Sequence, residues 1–96
     1  MNSSRSGREI DSALTKKEFE KTKDGDHVRY YFYDQQTGAI LSQTKMSHGV
    51  LGQTIGAPLI SQMARQLRLT KTQFLALIDC TLDEDSYRQI LQNEEE

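Results

Sequence analysis

The fold is decided by the stretch His27-Val-Arg-Tyr-Tyr-Phe-Tyr33, together with the loop Asp34-Gln-Gln-Thr-Gly38 and the run Ala39-Ile-Leu-Ser-Gln-Thr-Lys-Met-Ser47. The first run is rich in valine and aromatic residues, which favour extended backbone. The loop ends in glycine, which is common in hairpin connections. These features predict an antiparallel hairpin of strands His27–Tyr33 and Ala39–Ser47. Because side chains alternate along a strand, the odd-numbered residues of the first strand share one face, and Val28, Tyr30 and Phe32 share the other.

The predicted hairpin needs a covering layer, because two strands alone are marginally stable in water. Apolar residues recur at helical spacing between Arg8 and Lys17 and again between Leu59 and Leu67, just after Pro58. Each pattern predicts an amphipathic helix with one apolar face. Proline is tolerated in the first turn of the second of these helices, where amide hydrogens lack helical partners.

Two capping boxes predict two more helices near the C-terminus. Thr70 with Gln73 opens one, and Thr81 with Glu84 opens the other. In such a box the first side chain bonds to a backbone amide three residues later, and the later side chain bonds back. Cys80, at the end of the first of these helices, is expected to be a small buried side chain.

The short segment before the hairpin is ambiguous in part. Phe19–Thr22 fits either a helix end or a short strand, whereas Lys23–Asp26 has turn chemistry, with Gly25 able to adopt positive φ. The order of helix, two or three strands and then helices predicts an α+β fold. We expect residues 1–7 to be a disordered leader, residues 8–91 a single domain and residues 92–96 an acidic tail.

Length and composition exclude several classes of protein. With 96 residues, the chain has room for one small domain. Its longest apolar run, Phe74–Ile78, is far shorter than the ~20 residues of a membrane span, and residues 1–7 lack the apolar stretch of a secretory signal. The single cysteine, Cys80, cannot form an internal disulfide or a multi-cysteine zinc module. We therefore expect a cytoplasmic protein without membrane partners.

The charge is unevenly distributed along the chain. Residues 1–71 carry eleven Lys and Arg against seven Asp and Glu, a net charge of +4, whereas residues 72–96 carry one Arg against seven acids, a net charge of −6. A basic body with an acidic C-terminal segment fits a surface that binds a polyanion. Ordinary solvated charge explains the same pattern equally well.

Two histidines, His27 and His48, are the candidates for proton transfer. His27 opens the first hairpin strand directly after a turn, a position that is both exposed and rigid. Imidazole suits proton exchange near neutral pH because its reference pKa is about 6.5. A histidine without a role is the alternative. A zinc site built from His27, His48 and Cys80 has no pair at ligand spacing, so we expect no metal site.

Aromatic and cationic residues near His27 suit RNA. Tyr31 and Tyr33 share its predicted face with Arg29, and rings beside a cation bind stacked bases and phosphates. Good strand-forming propensity explains the tyrosines equally well. Three further cations extend the predicted basic surface: Lys45, Arg65 and Arg68.

Several of these segments resemble the HicA family of toxin–antitoxin systems, also called the YcfA-like family. They are Arg8-Glu-Ile-Asp-Ser-Ala-Leu-Thr-Lys-Lys-Glu-Phe19, Gly25-Asp-His27 and Thr44-Lys-Met-Ser-His-Gly49. The segments Leu59–Leu69 and Phe74-Leu-Ala-Leu-Ile-Asp-Cys-Thr-Leu82 resemble an extended branch of that family. Together the resemblance covers about residues 8–91.

The resemblance implies a fold like that of a double-stranded-RNA-binding domain: a helix, a three-stranded antiparallel sheet and a helix, here with additional C-terminal helices over residues 69–91. Phe19–Thr22 is then the first strand. Family members are metal-independent endoribonucleases (mRNA interferases), and each is silenced by a cognate antitoxin. The implied partners are therefore mRNA and an antitoxin protein, with no cofactor.

The family's catalytic histidine lies in a Gly-Ser-His motif that opens the second strand, and Gly25-Asp26-His27 matches it. The resemblance thus makes His27 the general base. Arg29 and Lys45 are candidates for stabilising the phosphate, and His48 is a candidate for the acid or for holding its loop by hydrogen bonds. Two positions depart from the family pattern. Glu18 replaces a glycine that favours a left-handed helix cap, and Asp26 places a carboxylate beside His27, where it repels phosphate.

Two other functions stay open. The chain is a non-catalytic RNA-binding module if it has kept the fold and lost the activity, which Asp26 and the acidic isoelectric point favour. It is a protein-interaction domain if the helices of residues 57–91 form an interface with an antitoxin or with a second copy in a homodimer.

Overall fold

The computed structural model describes residues 4–94 and shows an α+β chain. The elements in chain order are β1 (Arg5–Ser6), α1 (Gly7–Lys16), β2 (Glu20–Asp24), β3 (His27–Tyr33), β4 (Ile40–Ser47), a 3₁₀ helix (His48–Gly52), β5 (Thr54–Ile55), α2 (Ala57–Gln66), α3 (Lys71–Ile78) and α4 (Glu84–Glu94). The prediction of an α+β fold is confirmed. Among the described residues, no helix is long and apolar enough to span a membrane.

The main sheet is antiparallel, with strand order β2-β3-β4. The predicted hairpin is confirmed: β3 has the expected bounds, and β4 begins at Ile40, one residue later than expected. Gly38 adopts a φ of 75° at the end of the connecting loop, and Gly25 adopts a φ of 61° in the turn between β2 and β3. The ambiguous segment becomes a strand from Glu20 onward, because pairing with β3 satisfies its backbone groups.

Side chains alternate strictly along β3. Val28, Tyr30 and Phe32 are buried, whereas His27 is exposed and the other odd-numbered residues are half-buried. The inward side chains join residues of all four helices in one hydrophobic core. Its members are Ile10, Ala13, Leu14, Phe19, Val28, Tyr30, Phe32, Met46, Ile55, Ile60, Met63, Ala64, Leu67, Leu69, Phe74, Leu77, Ile78, Tyr87 and Leu91.

α4 is locked onto the rest of the core by Tyr87 and Arg88. The Tyr87 hydroxyl donates to the Leu67 carbonyl at 2.9 Å and hydrogen-bonds the Ser42 hydroxyl at 2.6 Å, so a buried phenol keeps its polar partners. The Arg88 guanidinium lies 4.3 Å above the Phe32 ring and donates to the Tyr33 carbonyl at 2.9 Å. These contacts join the last helix to both strands of the hairpin, β3 and β4.

The expected disordered leader is wrong for residues 5–7, and residues 1–3 lie outside the described residues. Arg5 and Ser6 pair with β5, and the Ser6 side chain forms a capping box with Glu9 at the start of α1. Gly7 is buried against the 3₁₀ helix, where a Cβ atom would overlap backbone of Val50. The polar composition of this segment predicts disorder. Composition alone does not show that the segment contacts another part of the chain more than forty residues away.

The two C-terminal helices begin differently from each other. The capping box of Thr70 and Gln73 at α3 is confirmed. The box predicted at Thr81 is wrong: Asp83 accepts a hydrogen bond from the Ser86 amide at 2.8 Å, and the Thr81 hydroxyl donates to the Ala76 carbonyl instead. Thr81 already belongs to the end of α3, so it cannot also cap α4.

Three helices end in the same motif, with a left-handed residue that is not glycine. Glu18 (φ 67°), Arg68 (φ 62°) and Cys80 (φ 66°) follow α1, α2 and α3. At each end the next amide bonds the carbonyl five residues earlier, as in a Schellman motif; Phe19 does so to Leu14 at 3.1 Å. Cys80 is therefore an exposed cap and not the expected buried side chain.

We expect Glu18→Gly to stabilise the protein by about 0.5–1 kcal/mol, because glycine adopts positive φ without the steric cost of a side chain. Lys16→Gly, at the last residue of α1, is the matched control and should destabilise by up to about 1 kcal/mol. Urea unfolding of both variants and the parent checks the opposite signs. Destabilisation by Glu18→Gly would contradict the strained cap.

A second prediction concerns Asp11, which joins α1 to the sheet. Its Oδ1 accepts from the Tyr30 hydroxyl at 2.6 Å and from the Lys21 ammonium at 2.9 Å. Partial burial opposes ionisation, but these two hydrogen bonds outweigh it and hold the pKa of Asp11 below its usual value. A depressed pKa in the folded state adds stability above the unfolded-state pKa of about 3.9, and this stability is lost as pH falls through the folded value.

Asp11→Asn should therefore destabilise the protein by about 1 kcal/mol at pH 7. Its further loss of stability between pH 5 and pH 2.5 should be smaller than that of the parent. Urea midpoints across this pH range measure both effects, with Asp26→Asn as the control for removing one carboxylate. Equal acid sensitivity of the Asp11 variant and the parent would rule out this role for Asp11.

Candidate functional site

The outward side chains of β2, β3 and β4 form one surface, which we call the open face. Strand register places Asp24, His27 and Ser47 in one row across the three strands. The next row is Thr22, Arg29 and Lys45, and the third is Glu20, Tyr31 and Gln43. Directly opposite residues in antiparallel strands have side chains on the same side of the sheet. The open face therefore brings together residues that are up to 27 positions apart in the chain.

His27 stands at one end of the open face. It is exposed and is the first residue of β3, directly after the turn at Gly25. The backbone amide of His48 donates to the Asp26 carbonyl at 2.7 Å and ties the two loops at this end together. The two histidines thus lie at the same end of the sheet, and the backbone of His48 holds its loop by a hydrogen bond.

Arg29 and Lys45 lie directly opposite each other on the open face. The Arg29 Nε donates to Asp24 Oδ2 at 3.0 Å, so this cation is partly neutralised. Lys45 is exposed, and among the described side chains no carboxylate oxygen lies within 4 Å of its ammonium. Lys45 is therefore the cation of this pair that is more available to an anionic ligand.

The other end of the open face is aromatic. The Tyr31 and Tyr33 rings are half-buried, with centroids 6.2 Å apart and a tilt of 37°. Loss of hydration and the nearby Glu20 carboxylate raise the pKa of Tyr33, so its phenol stays protonated at neutral pH. This end of the surface offers rings for stacking and little positive charge.

A groove of ≈ 370 Å³ opens where the open face meets the C-terminal end of α2. We call it the β4 groove, and its lining residues are Arg29, Gln43, Thr44, Lys45 and Gln66. The nearly buried Thr44 hydroxyl donates to Gln66 Oε1 at 2.6 Å, which fixes the orientation of the Gln66 carboxamide.

Sequence reasoning missed Gln66 and Gln43. Helical spacing in the sequence indicates the position of Gln66. It follows the buried Met63 by three residues and therefore lies at the border of the apolar face of α2. Arg65 and Arg68, which were predicted to bind RNA, are exposed at the same end of α2, but neither lines the β4 groove. The structure brings Arg29, Tyr31, Tyr33 and Lys45 together with His27 on the open face.

Cys80 lies in the helical layer, directly after α3, and not on the open face that carries His27. Its Sγ accepts from the Lys17 ammonium at 3.3 Å, between the ends of α1 and α3. Within residues 4–94, no group of three His, Cys, Asp or Glu side chains is placed to hold a metal ion.

Comparisons with family models, with curated proteins and with solved structures give no match to this chain. Its function is therefore argued from the arrangement of its own residues.

Proposed function

We propose that this chain is a HicA-like, metal-independent endoribonuclease with a fold resembling a double-stranded-RNA-binding domain. One observation carries the proposal: strand register puts His27 in the row next to the opposed cations Arg29 and Lys45 on an open face. A proton-transfer group beside two phosphate-binding cations is what metal-free cleavage of RNA requires. The sequence resemblance to the HicA family supports the same activity.

The proposed reaction uses the RNA's own 2′-hydroxyl as nucleophile. His27 takes the proton of this hydroxyl, whose oxygen forms a bond to the adjacent phosphorus while the bond to the 5′-oxygen breaks. Lys45, with Arg29, stabilises the negative charge of the crowded phosphate. An acid, for which His48 is the candidate, protonates the leaving 5′-oxygen, and a 2′,3′-cyclic phosphate remains. Tyr31 and Tyr33 offer rings to neighbouring bases.

We also propose a cognate antitoxin as the protein partner, on the strength of the resemblance alone. The helices within residues 69–91, which extend the minimal family fold, contribute core residues such as Phe74 and Tyr87. They are therefore part of the folded unit, and their acidic outer surface remains available to a partner protein.

Non-catalytic RNA binding is the second candidate. The ion pair of Arg29 with Asp24 favours it, since this carboxylate also lies opposite His27 in register. The negative charge of Asp24 beside His27 weakens the attraction of an RNA phosphate toward this general base. Under this alternative the open face binds RNA through Lys45 and the two tyrosines without cutting it.

The test of catalysis is cleavage of a mixed-sequence RNA in the presence of EDTA. We expect the parent protein to leave cyclic-phosphate ends and His27→Ala to reduce the rate by about 10²-fold or more, because a general base typically contributes 10²–10⁴-fold. His48→Ala is measured beside it, and circular dichroism verifies folding. Undiminished cleavage by His27→Ala would sink the assignment of the base. Binding without cleavage by the parent would select the second candidate.

The test of the RNA surface compares Lys45→Ala with Lys16→Ala. Both remove one exposed lysine, but Lys16 lies on α1, in the helical layer. We expect only the Lys45 variant to weaken binding of single-stranded RNA and to reduce the slope of log affinity against log salt by about 0.7, the value for one lost phosphate contact. Equal effects of both variants would show that the attraction is non-local.

A further inference from the structure

We propose that the β4 groove binds one nucleotide adjacent to the scissile phosphate, with Gln66 as the residue that selects its base. This inference rests on the proposed function in that RNA is taken as the ligand of the open face. It adds a site and a base preference that neither the resemblance nor the predicted site residues contain.

The orientation of Gln66 is the first argument. Its Oε1 already accepts the Thr44 hydroxyl at 2.6 Å, and Thr44 is only 3 % exposed, so the carboxamide is held from inside the protein. The Nε2 group retains two N–H donors, for which the described residues supply no hydrogen-bond partner. Gln66 therefore presents donors to the groove, and its ligand must offer acceptors.

The charges of the groove are the second argument. Arg29 and Lys45 are like charges directly opposite each other, an arrangement that destabilises a sheet on its own. The carboxylate of Asp24 contacts Arg29 and leaves Lys45 without a counter-charge among the described side chains. A phosphate placed between the two cations removes this repulsion, so the anionic end of the ligand belongs on the open-face side of the groove.

Size and position supply the third argument. A volume of ≈ 370 Å³ lies at the lower end of the range for small-molecule pockets, about 300–1,000 Å³, and suits one nucleotide. Two of the lining residues, Arg29 and Lys45, lie in the row next to His27, whereas Gln66 lies at the end of α2. A nucleotide with its phosphate between these two cations thus extends its base across β4 toward Gln66. Uracil suits these donors better than adenine, because both exocyclic groups of uracil are acceptors, whereas the exocyclic group of adenine is an amino donor.

Gln66→Glu is the decisive variant. Glutamate keeps the shape and the acceptor for Thr44 but replaces the two donors with an anionic oxygen. Gln36→Glu, an exposed position in the loop between β3 and β4, adds the same charge away from the groove. The probes are fluorescein-labelled hexanucleotides of 2′-O-methyluridine and 2′-O-methyladenosine, which lack the attacking hydroxyl and cannot be cleaved. Fluorescence anisotropy measures the affinity of each probe for the parent and both variants.

We expect the parent to prefer the uridine probe over the adenosine probe. Gln66→Glu should weaken uridine binding about tenfold and abolish the preference. The reason is that repulsion between the new carboxylate and the carbonyl oxygens of uracil replaces a hydrogen bond. Gln36→Glu should retain affinity and preference within about twofold, and urea midpoints should show that both variants are folded. A base preference left intact by Gln66→Glu overturns the inference, as does an affinity loss shared equally by both variants.

The outcomes separate this inference from the proposed function. If the parent binds the probes with the expected preference but cuts no RNA, the groove stands and the catalytic assignment falls. If the parent cuts RNA but Gln66→Glu changes neither affinity nor preference, the catalytic assignment stands and the groove falls. Failure of the parent to bind either probe overturns the groove, whereas the catalytic assignment is decided by the cleavage of natural RNA.

Discussion

The alternation of side chains along β3, the central strand of the sheet, is the constraint on which the rest of the molecule depends. Val28, Tyr30 and Phe32 are each at most 1 % exposed, and burying them under the helices holds this strand in one register. A slip of one residue would expose all three and drive the intervening polar residues into the core. The burial of one face thereby dictates that His27, Arg29, Tyr31 and Tyr33 line the other. The candidate site is the outward consequence of core packing.

A small set of buried and partly buried polar contacts then places α1 and α4 over the sheet. Asp11 links α1 to Tyr30 of β3 and to Lys21 of β2, and Tyr87 links α4 to Ser42 of β4. Burial and the bond to Asp11 raise the pKa of Tyr30 well above its usual value, so this phenol remains a donor at every physiological pH. Such contacts are directional, whereas apolar burial is not. They position α1 and α4 over the sheet, and the hydrogen bond from Tyr87 to the Leu67 carbonyl holds the C-terminal end of α2.

The open face keeps interactions that do not favour the fold by themselves. Arg29 and Lys45 lie opposite each other on the neighbouring strands β3 and β4, and their like charges repel. The Asp24 carboxylate offsets this repulsion only in part. The left-handed helix ends at Glu18, Arg68 and Cys80 likewise cost conformational energy that glycine would avoid. These two costs differ in their relation to the candidate site. Glycine would remove the cost at each helix end without changing the open face. Removing Arg29 or Lys45 would instead remove a group that can bind an anion.

The sequence by itself determined the hairpin, its two faces, the helices after Pro58 and the capping box at Thr70. Local spacing, turn residues and capping depend on neighbours along the chain, so they can be read from it. Alternation along one strand likewise predicts a shared outward face, with His27, Arg29, Tyr31 and Tyr33 on it. Only the tertiary structure decided that Glu20–Asp24 pairs as a strand, that Arg29 meets Asp24, that Gly7 packs against the 3₁₀ helix and that Gln66 meets Thr44. Each of these depends on which distant segments meet in space, and the packing of the whole core decides that.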